Sequence, residues 1–184
     1  MSSKILVDEI APKTTGSKVL MPQGGIIQMQ YTQFTGINSY SISAATDTVI
    51  TDLTVNITPI STSSIIKIDA MVNGEWSHQN GATDSVWFFY RDTTKLSQPN
   101  SGNRPSGILM GTSITYDTSN AASTPEHAYY SYFDAPSSTS QITYKVGVFQ
   151  ADGYDWSLNR TQTDTDANGY ERGTSFICVT EIAG

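Results

Sequence analysis

VITDLTVNITPISTSSIIKIDAMV, residues 49–72, decides the fold class. In its first part Leu53, Val55 and Ile57 alternate with Thr54 and Asn56. In its second part Ile66, Ile68, Ala70 and Val72 alternate with Lys67, Asp69 and Met71. A period of two puts each apolar set on one face of a strand. Pro59 has no N–H to give to a ladder, so the first strand ends before it, and the Ser/Thr cluster that follows is punctuation. The stretch reads as a hairpin of two antiparallel strands, one face buried and the other wet, closed by Asn73-Gly74.

The same signal recurs on both sides. Residues 26–34, IIQMQYTQF, alternate, and residues 86–91 (VWFFYR) and 128–133 (AYYSYF) are rich in strand-forming aromatics. Residues 141–150 place Ile142, Tyr144, Val146 and Val148 on one face, and TSFICVTEI at 174–182 is the last strand. Residues 108–116 and 154–158 read as strands too, and 37–45 as polar loop or a short strand. That makes nine or ten strands and no sustained helical period. Residues 74–84, 92–107, 117–126 and 159–173 read as loops. Loops as long as 92–107 carry function or lie between subunits. The expected fold is all-β, an antiparallel β-sandwich or jelly roll over residues 26–184.

Residues 1–25 have a different character. Ile5, Leu6, Val7 and Ile10 form one apolar anchor and Val19, Leu20 and Met21 a second, with Pro12, Gly16 and Pro22 breaking any helix. Such a segment has nothing of its own to bury against. It reads as an extended arm that docks on a neighbouring chain or a larger assembly.

Composition narrows the function. The 184 residues carry a net charge of -7 with no basic cluster, which opposes nucleic acid and anionic membrane surfaces. No apolar run approaches a membrane span, and the N-terminus lacks the features of a signal peptide. The hydrophobic fraction of 38% is low for a compact monomer and fits a protein that buries surface between subunits. Cys178, the single cysteine, sits in the apolar run FICVT and reads as a buried structural residue that needs no oxidising compartment.

The chemistry-bearing residues point away from catalysis. His78 and His127 are the two histidines and show no HExxH or HxH spacing, and neither a G-x-S-x-G elbow nor a P-loop is present. A carboxylate pair that includes Glu75 is permitted by composition alone. DTDANG at 164–169 matches the front half of a calcium loop through Asp164, Asp166 and Asn168. The twelfth position is Ser175 where a bidentate Glu is required, so an Asx-rich turn is the simpler reading and no cofactor or metal is expected. The aromatics offer more. Trp76 and Trp156 lie beside loops and, with His78 and Tyr154, form the expected glycan-binding set, since aromatic faces stack on sugars.

Three segments carry a family resemblance. KILVDEIAPKTTGSKVLMPQG (residues 4–24), LTVNITPISTSSIIKI (53–68) and LNRTQTDTDANGYERGTSFICVTEIAG (158–184) resemble segments of tailed-phage virion proteins, especially fibre-like proteins of phages of marine bacteria. Together they cover about a third of the chain, and residues 74–134 share nothing with that group. The resemblance implies a non-enzymatic, homotrimeric β-structured protein of the virion surface. It would be a tail-fibre or adhesin subunit that joins other virion proteins through its arm and binds host surface glycan. The alternative is a capsid or tail decoration protein with a purely architectural role. A depolymerase-type glycan hydrolase is a third reading, against which the absence of solenoid repeats counts.

Overall fold

Residues 49–72 form two long strands in different sheets. The computed structural model describes residues 22–99, 102–114 and 123–184. Its strands are β1 (Ile26–Phe34), β2 (Asn38–Tyr40), β3 (Thr46–Ile57), β4 (Ile65–Trp76), β5 (Ser85–Arg91), β6 (Thr94–Leu96), β7 (Leu109–Met110), β8 (Ser113–Ile114), β9 (Glu126–Asp134), β10 (Ile142–Gln150), β11 (Trp156–Leu158) and β12 (Ser175–Ile182). A single 3-10 turn, Gln79–Gly81, is the helical element among the described residues. The expected arm residues Ile5, Leu6, Val7, Ile10, Val19, Leu20 and Met21 lie outside the described part of the chain.

Two antiparallel sheets pack face to face as a β-sandwich. One runs β1-β12-β4-β9, with β11, β2 and β8 added at one end; the other runs β3-β10-β5-β6, with β7 beside β5. Number the eight principal strands in chain order and the first pairs with the last (β1·β12), the second with the seventh (β3·β10), the third with the sixth (β4·β9) and the fourth with the fifth (β5·β6). That is a long hairpin rolled over on itself, the jelly roll.

The expected hairpin at 49–72 is thus a corner. Both strands have one fully apolar face, and side-by-side pairing would leave those faces jointly uncovered. Crossing between sheets puts both faces in the interior, where β3 lies against β1 and β12 of the other sheet. The connection at 58–64 is also long for a hairpin turn. Glu181 pins it. Its buried carboxylate accepts hydrogen bonds from the Ile60 N–H (2.7 Å), the Ser64 hydroxyl (2.6 Å) and the Gln28 amide (2.6 Å).

The alternation itself holds. Ile66, Ile68, Ala70 and Val72 are fully buried, and Lys67, Asp69 and Met71 face outward, half-buried. On β3 the period slips once: Lys145 pairs Thr54, yet Val146 pairs Ile50, so a bulge points both Ile50 and Leu53 inward. The Tyr40 hydroxyl secures this bulge. It donates to the Asp52 carboxylate (2.8 Å) and accepts from the Asp52 N–H (3.0 Å). Across the interior, Phe89 of β5 stacks on Tyr130 of β9 at 4.6 Å. Asp134 of β9 accepts from Arg91 (2.8 Å) and from the Tyr144 hydroxyl (2.7 Å), tying the sheets together at the same end as Glu181.

Other boundaries move. β4 runs through Asn73-Gly74 to Trp76. The loop expected at 92–107 contains β6, and the strand expected at 108–116 is two short strands in different sheets. Cys178 is half-buried on the outward face of β12, not in the core, because inward positions on that strand fall to Ile177 and Val179.

The fold has two ends. At the base lie Pro22, where the described chain begins, the 58–64 corner, the 135–141 turn and Gly184. At the top lie the loops 41–45, 77–84 and 151–155. β4 spans the distance, about 36 Å for its length. Removing the base pin by Glu181→Ala strands three donors, the buried Ser64 hydroxyl among them, and should cost roughly 2 kcal/mol or more in denaturant unfolding. Lys67→Ala on the outer face of the neighbouring strand should cost about 0.5 kcal/mol or less.

Candidate functional site

The top end brings the four sequence-predicted aromatic-site residues together, though not as expected. In the β4–β11 ladder Trp76 pairs Trp156. The two chains continue upward past it: the Ser77 N–H donates to the Asp155 carbonyl (2.8 Å), and the Asp155 N–H donates to the Ser77 hydroxyl (2.9 Å). One residue further on, the His78 and Tyr154 rings stack at 4.5 Å, 17° from parallel.

The tryptophans face inward. Trp76 and Trp156 are fully buried and meet Trp87 of the other sheet, with ring centroids 5.1, 5.3 and 6.1 Å apart. The indole N–H groups of Trp76 and Trp87 both donate to the Thr112 hydroxyl, at 3.0 and 3.1 Å. Neither Trp76 nor Trp156 offers a face to a sugar, and that expectation is corrected. The physical reason is Gly81. A Cβ there would lie 2.5 Å from the Trp76 ring, so only glycine lets the 77–84 loop lie flat on the indole.

His78 and Tyr154 remain at the surface, half-buried. The His78 Nδ1 accepts from the Asn80 N–H (3.2 Å) and caps the 3-10 turn, which leaves Nε2 to carry the ring proton outward as a donor. Tyr154 is set by a tight turn built on buried Gln150, whose side-chain carbonyl accepts from the backbone N–H groups of Asp152 (2.6 Å), Gly153 and Tyr154 (3.3 Å). The Asp155 carboxylate accepts from Ser41 (3.0 Å), drawing the 41–45 loop to the same rim. The result is a stacked ring pair flanked by a carboxylate and hydroxyls.

Two carboxylates beside the tryptophans were not foreseen as a pair. Glu75 is fully buried, and its two oxygens accept from the Thr124 N–H (2.9 Å) and the Gln162 N–H (2.6 Å), so it ties two loops together. Burial raises its pKa above the ordinary carboxylate range, against those two hydrogen bonds. Glu126, adjacent through the β4–β9 ladder, is pushed up to about 8, chiefly by burial and also by the charge of Glu75, although the Trp76 N–H holds it down in part. One of its oxygens has no partner. The parity of β9 carried the signal: Glu126 shares its inward face with Ala128 and Tyr130. A groove of about 170 Å³ lies nearby, lined by Asn73, Glu126, Arg160 and Glu171 among others. The Glu75 oxygens are occupied by backbone donors, which suits a loop clamp better than a general base.

The calcium reading fails on geometry. The Asp164 carboxylate is held by Arg172 through two bonds, 3.0 and 2.7 Å. Among the described residues no group of three or more His, Cys, Asp or Glu side chains is placed to hold a metal. Asn159, a sequon residue, is buried and donates to the Phe34 and Gly36 carbonyls (both 2.8 Å). No family model and no curated protein matches this chain.

Glu126 sets a pH dependence. Its pKa is raised on folding from 4.5 to about 8, so the folded chain holds a proton that the unfolded chain has lost. The stability this provides is complete below the ordinary carboxylate range and is lost as pH rises through the folded value. Glu75 shifts in the same direction. The melting temperature should therefore fall from about pH 5 to about pH 9, and Glu126→Gln should flatten that slope. An unchanged slope in thermal melts would remove Glu126 as its source.

Proposed function

We propose that the chain is a non-enzymatic structural subunit of a phage particle, held by its N-terminal segment and presenting the His78–Tyr154 rim outward to host surface glycan. The observation that carries this reading is the polarity of the fold. The segment bearing Ile5 to Ile10 and Val19 to Met21 joins the described chain at Pro22, at the base. The rim lies at the opposite end of β4. An anchor at one end and a polyol-type surface at the other is what attachment requires. The resemblance of residues 4–24 and 158–184 to virion proteins supports the location, and it implies a trimer.

Glycan contact falls to the two half-buried rings rather than to the tryptophans, which serve beneath them as a rigid floor. The ligand stays at the level of class: a carbohydrate whose apolar face lies on Tyr154 or His78 and whose hydroxyls meet Asp155 and Ser41. The alternative, a decoration subunit with an architectural role alone, shares the anchor and lacks the ligand.

Added in excess, the full chain should block adsorption of the parent particle to its host. The double variant His78→Ala/Tyr154→Ala should lose the block at least tenfold, about 1.4 kcal/mol, while remaining folded by circular dichroism with a modestly lower melting temperature from the lost cap and ring stack. A wild-type chain that leaves adsorption untouched and binds no glycan on an array would favour the decoration role.

A further inference from the structure

Four of the seven large apolar residues most exposed among those described lie on one surface, the outer face of the seven-stranded sheet. Strand registers build that face in rows. Across β1, β12, β4 and β9 one row reads Gln33, Phe176, Met71, Tyr129; the next reads Tyr31, Cys178, Asp69, Ser131; the third reads Met29, Thr180, Lys67, Phe133. Met29, Tyr31, Tyr129 and Phe133 are 57%, 64%, 59% and 60% exposed, with Met71 and Phe176 half-buried between them. The face thus carries two pairs of exposed apolar groups, Met29 and Tyr31 on β1 and Tyr129 and Phe133 on β9, joined along one row by Phe176 and Met71 and otherwise separated by Cys178, Thr180, Lys67 and Asp69. Large apolar groups exposed together on one sheet face mark a contact with another macromolecule.

The centre says which one. The face carries two charged side chains, Lys67 and Asp69, 2.8 Å apart, and they cancel; Asp69 also accepts from Ser131. The whole chain carries -7, so two copies repel each other over most of their surfaces. On this face the repulsion is absent. In a cyclic arrangement Lys67 of one copy can exchange Asp69 for that of its neighbour, while the surrounding aromatics close over the pair and exclude water.

We infer that this face is where a second copy of the chain docks. The inference deepens the self-assembly contained in the reading above and is independent of the glycan. The half-buried Cys178 lies in its middle row and, as the single cysteine, reports on it directly.

The test uses the full chain in sedimentation equilibrium, with alkylation of Cys178 read in parallel. The wild type should sediment as a multiple of 20.0 kDa. Tyr31→Lys/Phe133→Lys changes side chains that already stand mostly in solvent, so the fold should survive, as circular dichroism would verify; Tyr129→Lys is a second variant should the first fold poorly. Either variant should sediment as one chain and alkylate at Cys178 several times faster. A wild type that sediments at 20.0 kDa, or folded variants that keep the wild-type mass, would overturn the inference. Particle incorporation of the wild type, measured separately, keeps the two readings apart. If variants stay assembled while the wild type still enters particles, the face is wrong and the particle role stands. If the wild type never enters particles, the particle role fails whatever the mass.

Discussion

A buried carboxylate at the corner between β3 and β4 is the constraint the rest of the molecule depends on. Glu181 takes two hydrogen bonds from a connection that has no ladder of its own, through Ile60 and Ser64, and a third from Gln28 of β1. Those bonds hold residues 58–64 in the one path that carries the chain from one sheet to the other. Once that path is fixed, the apolar faces of β3 and β4 enter the interior from opposite sheets and the interior closes. The Asp134 contacts to Arg91 and Tyr144 repeat the device a short distance away. Both locks sit at the base, where the chain from residues 1–21 joins. Groups that unite the sheets are thus concentrated where a pull on the N-terminal segment would be felt.

The opposite end is built differently. Three indoles fill the space between the sheets, and Gly81 and the Gln150 turn lay loops directly over them. Four buried polar atoms without partners, Ser85 Oγ, Glu126 Oε2, Gln150 Nε2 and Trp156 Nε1, all belong to residues at this top end. Unsatisfied groups cost stability, and natural folds tolerate them where function demands it. The rigid floor and the stacked His78–Tyr154 pair above it belong to one construction.

Strand positions were legible because burial on one face imposes a period of two, and that signal is local. Pairing was not legible. A jelly roll joins the first strand to the last, and nothing in the local pattern of 49–72 separates a hairpin from a corner. The bulge at Ile50 and Leu53 is hidden for the same reason, since it depends on the register against β10. Trp76 and Trp156 looked like surface residues because loops follow or precede them. Their burial rests on a glycine five residues on from Trp76 and on a cross-strand pair eighty residues apart. The Asx-rich pattern at 164–169 did not reveal that Arg172, eight residues on, pairs with the Asp164 carboxylate.

The account's central claim is that the base faces the particle and the rim faces out. It is tested most directly by labelling the two ends in assembled particles. Exposed positions at each end, Asp152 at the rim and Thr139 at the base, would be replaced by cysteine one at a time in a background lacking Cys178, and the particles treated with a bulky maleimide. The account predicts rapid labelling at Asp152→Cys and protection at Thr139→Cys. Protection at the rim with rapid labelling at the base would contradict it.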